Sequence, residues 1–133
     1  MLLTKKSEYA LLSLILIAQS NTPVNVDVLS SRLNISKSFL AKILQNLAKS
    51  GIVLSYKGVN GGFVLAKKSE EITILDITRA AEEKTPAVFE CSSSPYDCPN
   101  NKAITCGIWP ILNKLQNKIN GFLNDLTLKE LLK

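Results

Sequence analysis

Residues 25–68, NVDVLSSRLNISKSFLAKILQNLAKSGIVLSYKGVNGGFVLAKK, decide the fold. Asn25 is a helix-capping residue type, and the pattern after it predicts a short helix over about 26–33. Asn34 suits the left-handed position that closes a helix, and Ser36 suits the cap of the next one. Leu40, Ile43, Leu44 and Leu47 recur at i, i+3, i+4 and i+7. They predict a helix over about 37–49 with one buried stripe, stopped at Gly51. Two helices joined by a tight Asn-Ile-Ser turn form a helix-turn-helix pattern. The opposite face of the second helix carries Lys37, Ser38, Ala41, Lys42, Gln45 and Lys49. That face is small, polar and basic, as a major-groove reader needs to be, although an ordinary solvated face looks the same.

The next segment separates the two readings. Residues 52–56 predict a strand, 57–62 a glycine-rich turn, and 63–66 the returning strand, with Lys67 and Lys68 behind it. A basic hairpin placed directly after a helix-turn-helix is the order of a winged helix. Glycine lets a wing backbone approach phosphates closely, and its amides can donate to them. The candidate DNA contacts are therefore Ser36, Lys37, Ser38, Ala41, Lys42 and Gln45 on the helix, and Lys57, Asn60 and Gly61 in the wing. Lys5, at the start of the chain's first helix, joins them. The glycine cluster is not a nucleotide-binding loop, because it precedes a strand and lacks the lysine-serine pair.

Outward from this module, Thr4 caps a first helix running to about residue 19. Its centre, residues 11–17, is apolar nearly all round, so its own domain and a partner subunit are both expected to cover it. A fourth helix is expected over 75–82, with Thr73 or Ile74 near its start. Residues 84–105 read as a long irregular loop. Ile108, Leu112, Leu115, Ile119, Phe122 and Leu126 are then spaced as a heptad seam. Such a seam suits pairing with a symmetry mate, the alternative being packing inside the chain. Pro110 is tolerated only in a first turn, which starts this helix near Ile108. Thr127 and Glu130 form a capping box for a final short helix. The fold class is mainly α with a small β-hairpin wing, in three parts. Residues 1–83 form a winged helix-turn-helix, 84–107 a cysteine-bearing sensor loop, and 108–133 a dimerisation helix with a C-terminal helix.

Charge follows the same division. Residues 1–68 hold nine lysines and arginines against two acids, a net of +7, whereas 69–133 hold seven against nine, a net of −2. A basic half joined to a mildly acidic one points to a polyanion partner. The longest apolar run, from Tyr9 to Ala18, is too short for a bilayer and lacks signal-peptide flanks, so the cytoplasm and no membrane partner are expected. The chain has no histidine and no nucleophile–base motif, which argues against an enzyme.

The three cysteines, Cys91, Cys98 and Cys106, fall within sixteen residues. An odd number excludes full internal pairing, and a cytoplasmic loop that gathers every thiol points to metal or redox chemistry. Three thiolates can wrap an iron–sulfur cluster, 2Fe–2S or 4Fe–4S, with a fourth ligand from elsewhere. Zinc on three thiolates and an oxygen, a thiol–disulfide switch, or inert thiols are the other readings. Cys106 just precedes a helix start, where the dipole favours thiolate. A small iron–sulfur electron carrier would not need the basic half.

These residues together resemble the Rrf2 family of bacterial transcription regulators. The resemblance is carried by Leu3-Thr4-Lys5 with Tyr9-Ala10, by residues 35–40 entering the recognition helix, and by residues 57–63 of the wing. It continues with Ile77-Thr78-Arg79-Ala80, with Cys106 through Trp109, and with residues 121–128. It implies a homodimer on a two-fold symmetric operator, with each recognition helix in a major groove and each wing along the backbone. It also implies, for many members, an iron–sulfur cluster on three loop cysteines that senses cluster status, nitric oxide or redox state. A purified sample can lack that cluster, and other members regulate without one. Some members add a carboxylate from the partner's first helix, and the matching position is Glu8. The spacing Cys91-x₆-Cys98-x₇-Cys106 departs from the family pattern, in which the second gap is usually shorter.

Overall fold

Three successive caps set the beginning of the chain in the computed structural model, which describes residues 4–84 and 108–132. Thr4 accepts from the Lys6 amide and starts α1, Lys5–Gln19. Asn25 accepts from the Val28 amide and starts α2, Val26–Leu33. Ser36 accepts from the Phe39 amide and starts α3, Lys37–Lys49. Between α2 and α3, Asn34 adopts φ 54° and ψ 48°, a left-handed conformation that asparagine tolerates better than most residues.

The hairpin pairs β1, Val53–Tyr56, antiparallel with β2, Gly62–Leu65, in the register Val53↔Leu65 to Tyr56↔Gly62. Both strands sit one residue off the expected bounds. Ile52 is buried but lies before the pairing, and Ala66 bonds back to the Ile52 carbonyl instead of extending the ladder. A short 3₁₀ turn, Ser69–Glu71, leads into α4, Ile74–Glu82. Thr73 opens α4 with a capping box. Its hydroxyl accepts from the Asp76 amide, and its own amide donates to the Asp76 carboxylate.

Helix α5, Trp109–Asp125, starts with Pro110 in its first turn, as the sequence requires. The final capping box at Thr127 and Glu130 opens a 3₁₀ turn, Leu128–Leu131, and not an α-helix. Between these elements lies a second antiparallel contact, Thr73↔Thr127. Ile74 N–H donates to the Leu126 carbonyl at 2.9 Å, and Leu128 N–H to the Ile72 carbonyl at 2.8 Å.

One core joins all of this. Ala10, Leu14 and Ile17 of α1 meet Leu40, Ile43, Leu44 and Leu47 of α3, and Ile77 and Ala81 of α4, with Leu123 and Leu128 from the far end of the chain. The expected α3 stripe is therefore the buried one. Two serines in α1 are also buried. Ser13 donates to the Tyr9 carbonyl at 2.7 Å, one turn back, and so needs no outside partner.

The heptad seam of α5 is split. Leu112, Ile119 and Leu126 are half-buried, and the last two pack on the core. The fully buried positions on this helix are Gln116 and Leu123 instead of Leu115 and Phe122. Ile108, Ile111, Leu115 and Phe122 face outward, Ile111 with 68% and Phe122 with 63% of its surface accessible. On α1 Leu12 is likewise exposed, while Leu11, Ile15 and Leu16 are half-buried. Among the described residues no helix is long and apolar enough to cross a membrane.

A candidate nucleic-acid interface

Burying Leu40, Ile43, Leu44 and Leu47 leaves the other side of α3 to solvent. Lys37, Ser38, Lys42, Gln45 and Lys49 are exposed there, and Ala41 is half-buried between them. Ser36 and Ser38 hold their hydroxyls 3.1 Å apart at the head of the helix. Lys37 makes a 2.7 Å ion pair with Asp27 of α2, both side chains being well exposed. Asp27 is the one acid between Glu8 and Glu70 in the sequence, and it offsets part of the charge of Lys37. An exposed pair of this kind contributes about 0–1 kcal/mol and gives way to a better anion.

The wing stands beside α3 because residues before α2 hold it. Val24 and Phe63 exchange both backbone hydrogen bonds, at 3.1 and 2.8 Å. Gly62 makes that approach possible. Its φ is +148°, and a Cβ placed there would lie 2.6 Å from the Val24 carbonyl carbon. At Gly61 a Cβ would lie 2.3 Å from the Tyr56 carbonyl oxygen. The hairpin's own packing thus demands these two glycines, whatever else approaches them. Lys57 and Asn60 are exposed at the tip, with Tyr56 and Val59, while Gly61 is half-buried.

The head of α1 is tied to the tail of α4. Glu82 accepts from Ser7 Oγ at 2.8 Å, from the Thr4 amide at 3.3 Å and from the Thr4 hydroxyl. Burial pushes the Glu82 carboxyl pKa up, but the hydrogen bonds from Thr4 and Ser7 and the charge of Lys6 outweigh it, and the net shift is downward. An unfolded chain therefore binds this proton more readily. The stabilisation is complete above the usual carboxylate range and is lost as pH falls through and below it. Glu82→Gln should flatten that part of the profile, read as urea midpoints between about pH 3 and pH 7. An unchanged acid limb would mean that other carboxylates set it.

Lys5 and Glu8 pair on the exposed side of α1 at 3.0 Å. The hydrogen bond to Glu8, then its charge and that of Tyr9, raise the Lys5 pKa. The anticipated contacts Ser36, Lys37, Ser38, Ala41, Lys42 and Gln45 therefore share one face, and Lys57, Asn60 and Gly61 share the adjoining wing. Cys91, Cys98 and Cys106 lie outside the described residues, and among the described residues no group of three acidic, histidine or cysteine side chains is placed to hold a metal. Sequence reasoning missed Asp27, Lys6 and Glu82. Asp27 and Lys6 look like ordinary surface charges, and the partners of Glu82 are more than seventy positions away.

Known proteins share this arrangement. A family model described as Rrf2, iron-dependent transcriptional regulator, matches residues 3–133. The HTH-type transcriptional regulator IscR of Cronobacter sakazakii is 32% identical, over 98% of this chain and 80% of that protein. The Escherichia coli IscR proteins match to the same extent. A solved putative transcriptional regulator from Listeria innocua is 26% identical with a TM-score of 0.75, covering 97% of this chain and 84% of that one. CymR, the global cysteine regulator of Bacillus subtilis, superposes with a TM-score of 0.72 at 24% identity, over 98% of this chain and 95% of that one. These relatives are regulators and not enzymes, their winged-helix fold is the one described above, and the chain belongs to the Rrf2 family of transcriptional regulators.

Proposed function

We propose that the chain works as a homodimer that binds a two-fold symmetric DNA operator, in the cytoplasm, under control of an iron–sulfur cluster. The observation that carries the DNA reading is the exposed face of α3. It offers Ser38, Lys42 and Gln45 beside a basic wing, and α3 itself carries no acidic residue. Lys42 and Gln45 suit base edges in a major groove. Ser36, Lys37, Lys57 and the amides near Asn60 and Gly61 suit phosphates, and Lys5 adds charge at the edge. Dimerisation is supported by the outward row Ile108, Ile111, Leu115 and Phe122 on α5, which a second copy would cover.

The donor set fits the cluster. Cys91, Cys98 and Cys106 supply three soft thiolates within sixteen residues, and Glu8, exposed on the first turn of α1, is the candidate fourth ligand from the partner subunit. When bound, the cluster supplies a redox- and nitric-oxide-sensitive centre. What this chain adds is position, because Glu8 sits on the helix whose head borders the reading face. The parts of the chain keep the roles assigned from sequence, with reading head at 1–83, sensor loop at 84–107 and dimer helix at 108–133.

The test is an anaerobic preparation assayed for iron, labile sulfide and visible absorption, then for binding to a duplex enriched from a random pool. Binding should weaken steeply with salt. Lys42→Ala should cost about 1–3 kcal/mol on the enriched duplex and less on a scrambled one. A colourless, iron-free protein that still binds would overturn the cluster and leave the DNA reading standing. Absence of salt-sensitive binding to any duplex would overturn the DNA reading.

A further inference from the structure

Beside the reading face lies a feature that those contacts do not use. The head of α1 and the head of α3 enclose an open cleft of about 780 Å³, lined by Lys6, Tyr9, Ile35, Ser38, Phe39 and Lys42 among others. Its floor is aromatic. Tyr9 and Phe39 meet edge to face with centroids 5.7 Å apart, and Phe39 keeps 37% of its surface accessible although it belongs to the first turn of α3. Its rim is cationic, with Lys6 and Lys42 among the lining residues, and among the described residues no acidic side chain lines it. Lys5 lies 5.9 Å from the centre of the Tyr9 ring and is paired with Glu8.

Charge complementarity and continuity select the occupant. Ser38 and Lys42 belong both to the cleft and to the exposed face of α3, so anything lying along that face continues into the cleft. A strand of nucleic acid backbone presents anionic phosphates at its edge and apolar sugar faces between them. A cationic rim over an aromatic floor matches that alternation, and a purely apolar partner would cover exposed lysines without offering them an anion. We propose that the cleft seats one phosphodiester strand of the bound duplex, with Lys6 on a phosphate, Tyr9 and Phe39 against deoxyribose, and Lys42 at the border where the strand passes to the base-reading face of α3. This rests on the DNA reading above and adds Lys6, Tyr9 and Phe39 to its contacts.

Lys6→Ala is the decisive variant, because the side chain is exposed and its loss opens no cavity. Binding is followed by fluorescence anisotropy on the enriched duplex and on a scrambled one, across a sodium chloride series. The expected result is a loss of roughly three- to tenfold on both duplexes alike, with the salt slope reduced by about one phosphate. Lys6→Arg should restore most of the affinity. Wild-type affinity and slope in Lys6→Ala would overturn the cleft assignment while leaving the DNA reading intact. A loss confined to the enriched duplex would overturn it as well, since Lys6 would then read a base. So would a change in sedimentation coefficient with unchanged DNA binding, which would give the cleft to a second copy of the chain. If the wild-type protein binds neither duplex, the DNA reading fails and this assignment fails with it.

Discussion

Gly62→Ala is expected to lower the unfolding free energy by roughly 2–5 kcal/mol and to abolish tight DNA binding. Two costs coincide at this position. A φ of +148° is strained for any residue with a Cβ, and the new carbon would meet the Val24 carbonyl carbon at 2.6 Å and the Asn25 nitrogen at 2.8 Å. Backbone atoms on both sides cannot turn away as a side chain can. Relief requires the hairpin to leave Val24, which breaks both hydrogen bonds between Val24 and Phe63 and swings the wing from α3. Gly58→Ala is the control. Gly58 has φ +106° but open space around its would-be Cβ, so its cost should stay near 1 kcal/mol. Denaturant midpoints for the two variants decide the matter. Equal losses would show that conformation alone, and not the contact with Val24, matters at Gly62.

The second large effect is expected at the opposite end of the sequence. Leu128→Ala should cost about 2–5 kcal/mol. Leu128 is fully buried, and its amide donates to the Ile72 carbonyl while the Ile74 amide donates to the Leu126 carbonyl. The cavity would open against the same core that seats α1 and α3. Unfolding followed by Trp109 fluorescence and by helical circular dichroism should shift together to lower denaturant, because α5 and the reading head share that core. A cost under about 1 kcal/mol, or two separate transitions, would mean that the tail merely rests on the surface.

Local signals announced the elements, because caps and apolar periodicity act within a few turns of the chain. Thr4, Asn25, Asn34, Ser36 and Thr73 each do what their residue type announced. The exposed face of α3 was legible for the same reason: once Leu40, Ile43, Leu44 and Leu47 are buried, geometry leaves Ser38, Lys42 and Gln45 outside. What stayed hidden depends on partners distant in sequence. Nothing near Glu82 announces Thr4 and Ser7, and nothing near Phe63 announces Val24. On α5 the heptad seam marks Leu115 and Phe122, which face outward in the single chain, whereas Gln116 takes an interior position that no hydrophobic pattern marks. The wing glycines were read for what they let in, and their neighbours Val24 and Tyr56 supply a further reason for them.

The contact of residues 72–74 with residues 126–128 also bears on the order of synthesis. A ribosome releases residues 72–74 about fifty residues before the segment that pairs with them. Until Leu126 and Leu128 arrive, the core under the recognition helix lacks one wall. A nascent or prematurely released chain therefore carries the lysines of a DNA reader without the rigid frame that aims them. Loss of residues 126–128 is expected to weaken function as surely as damage to α3 itself.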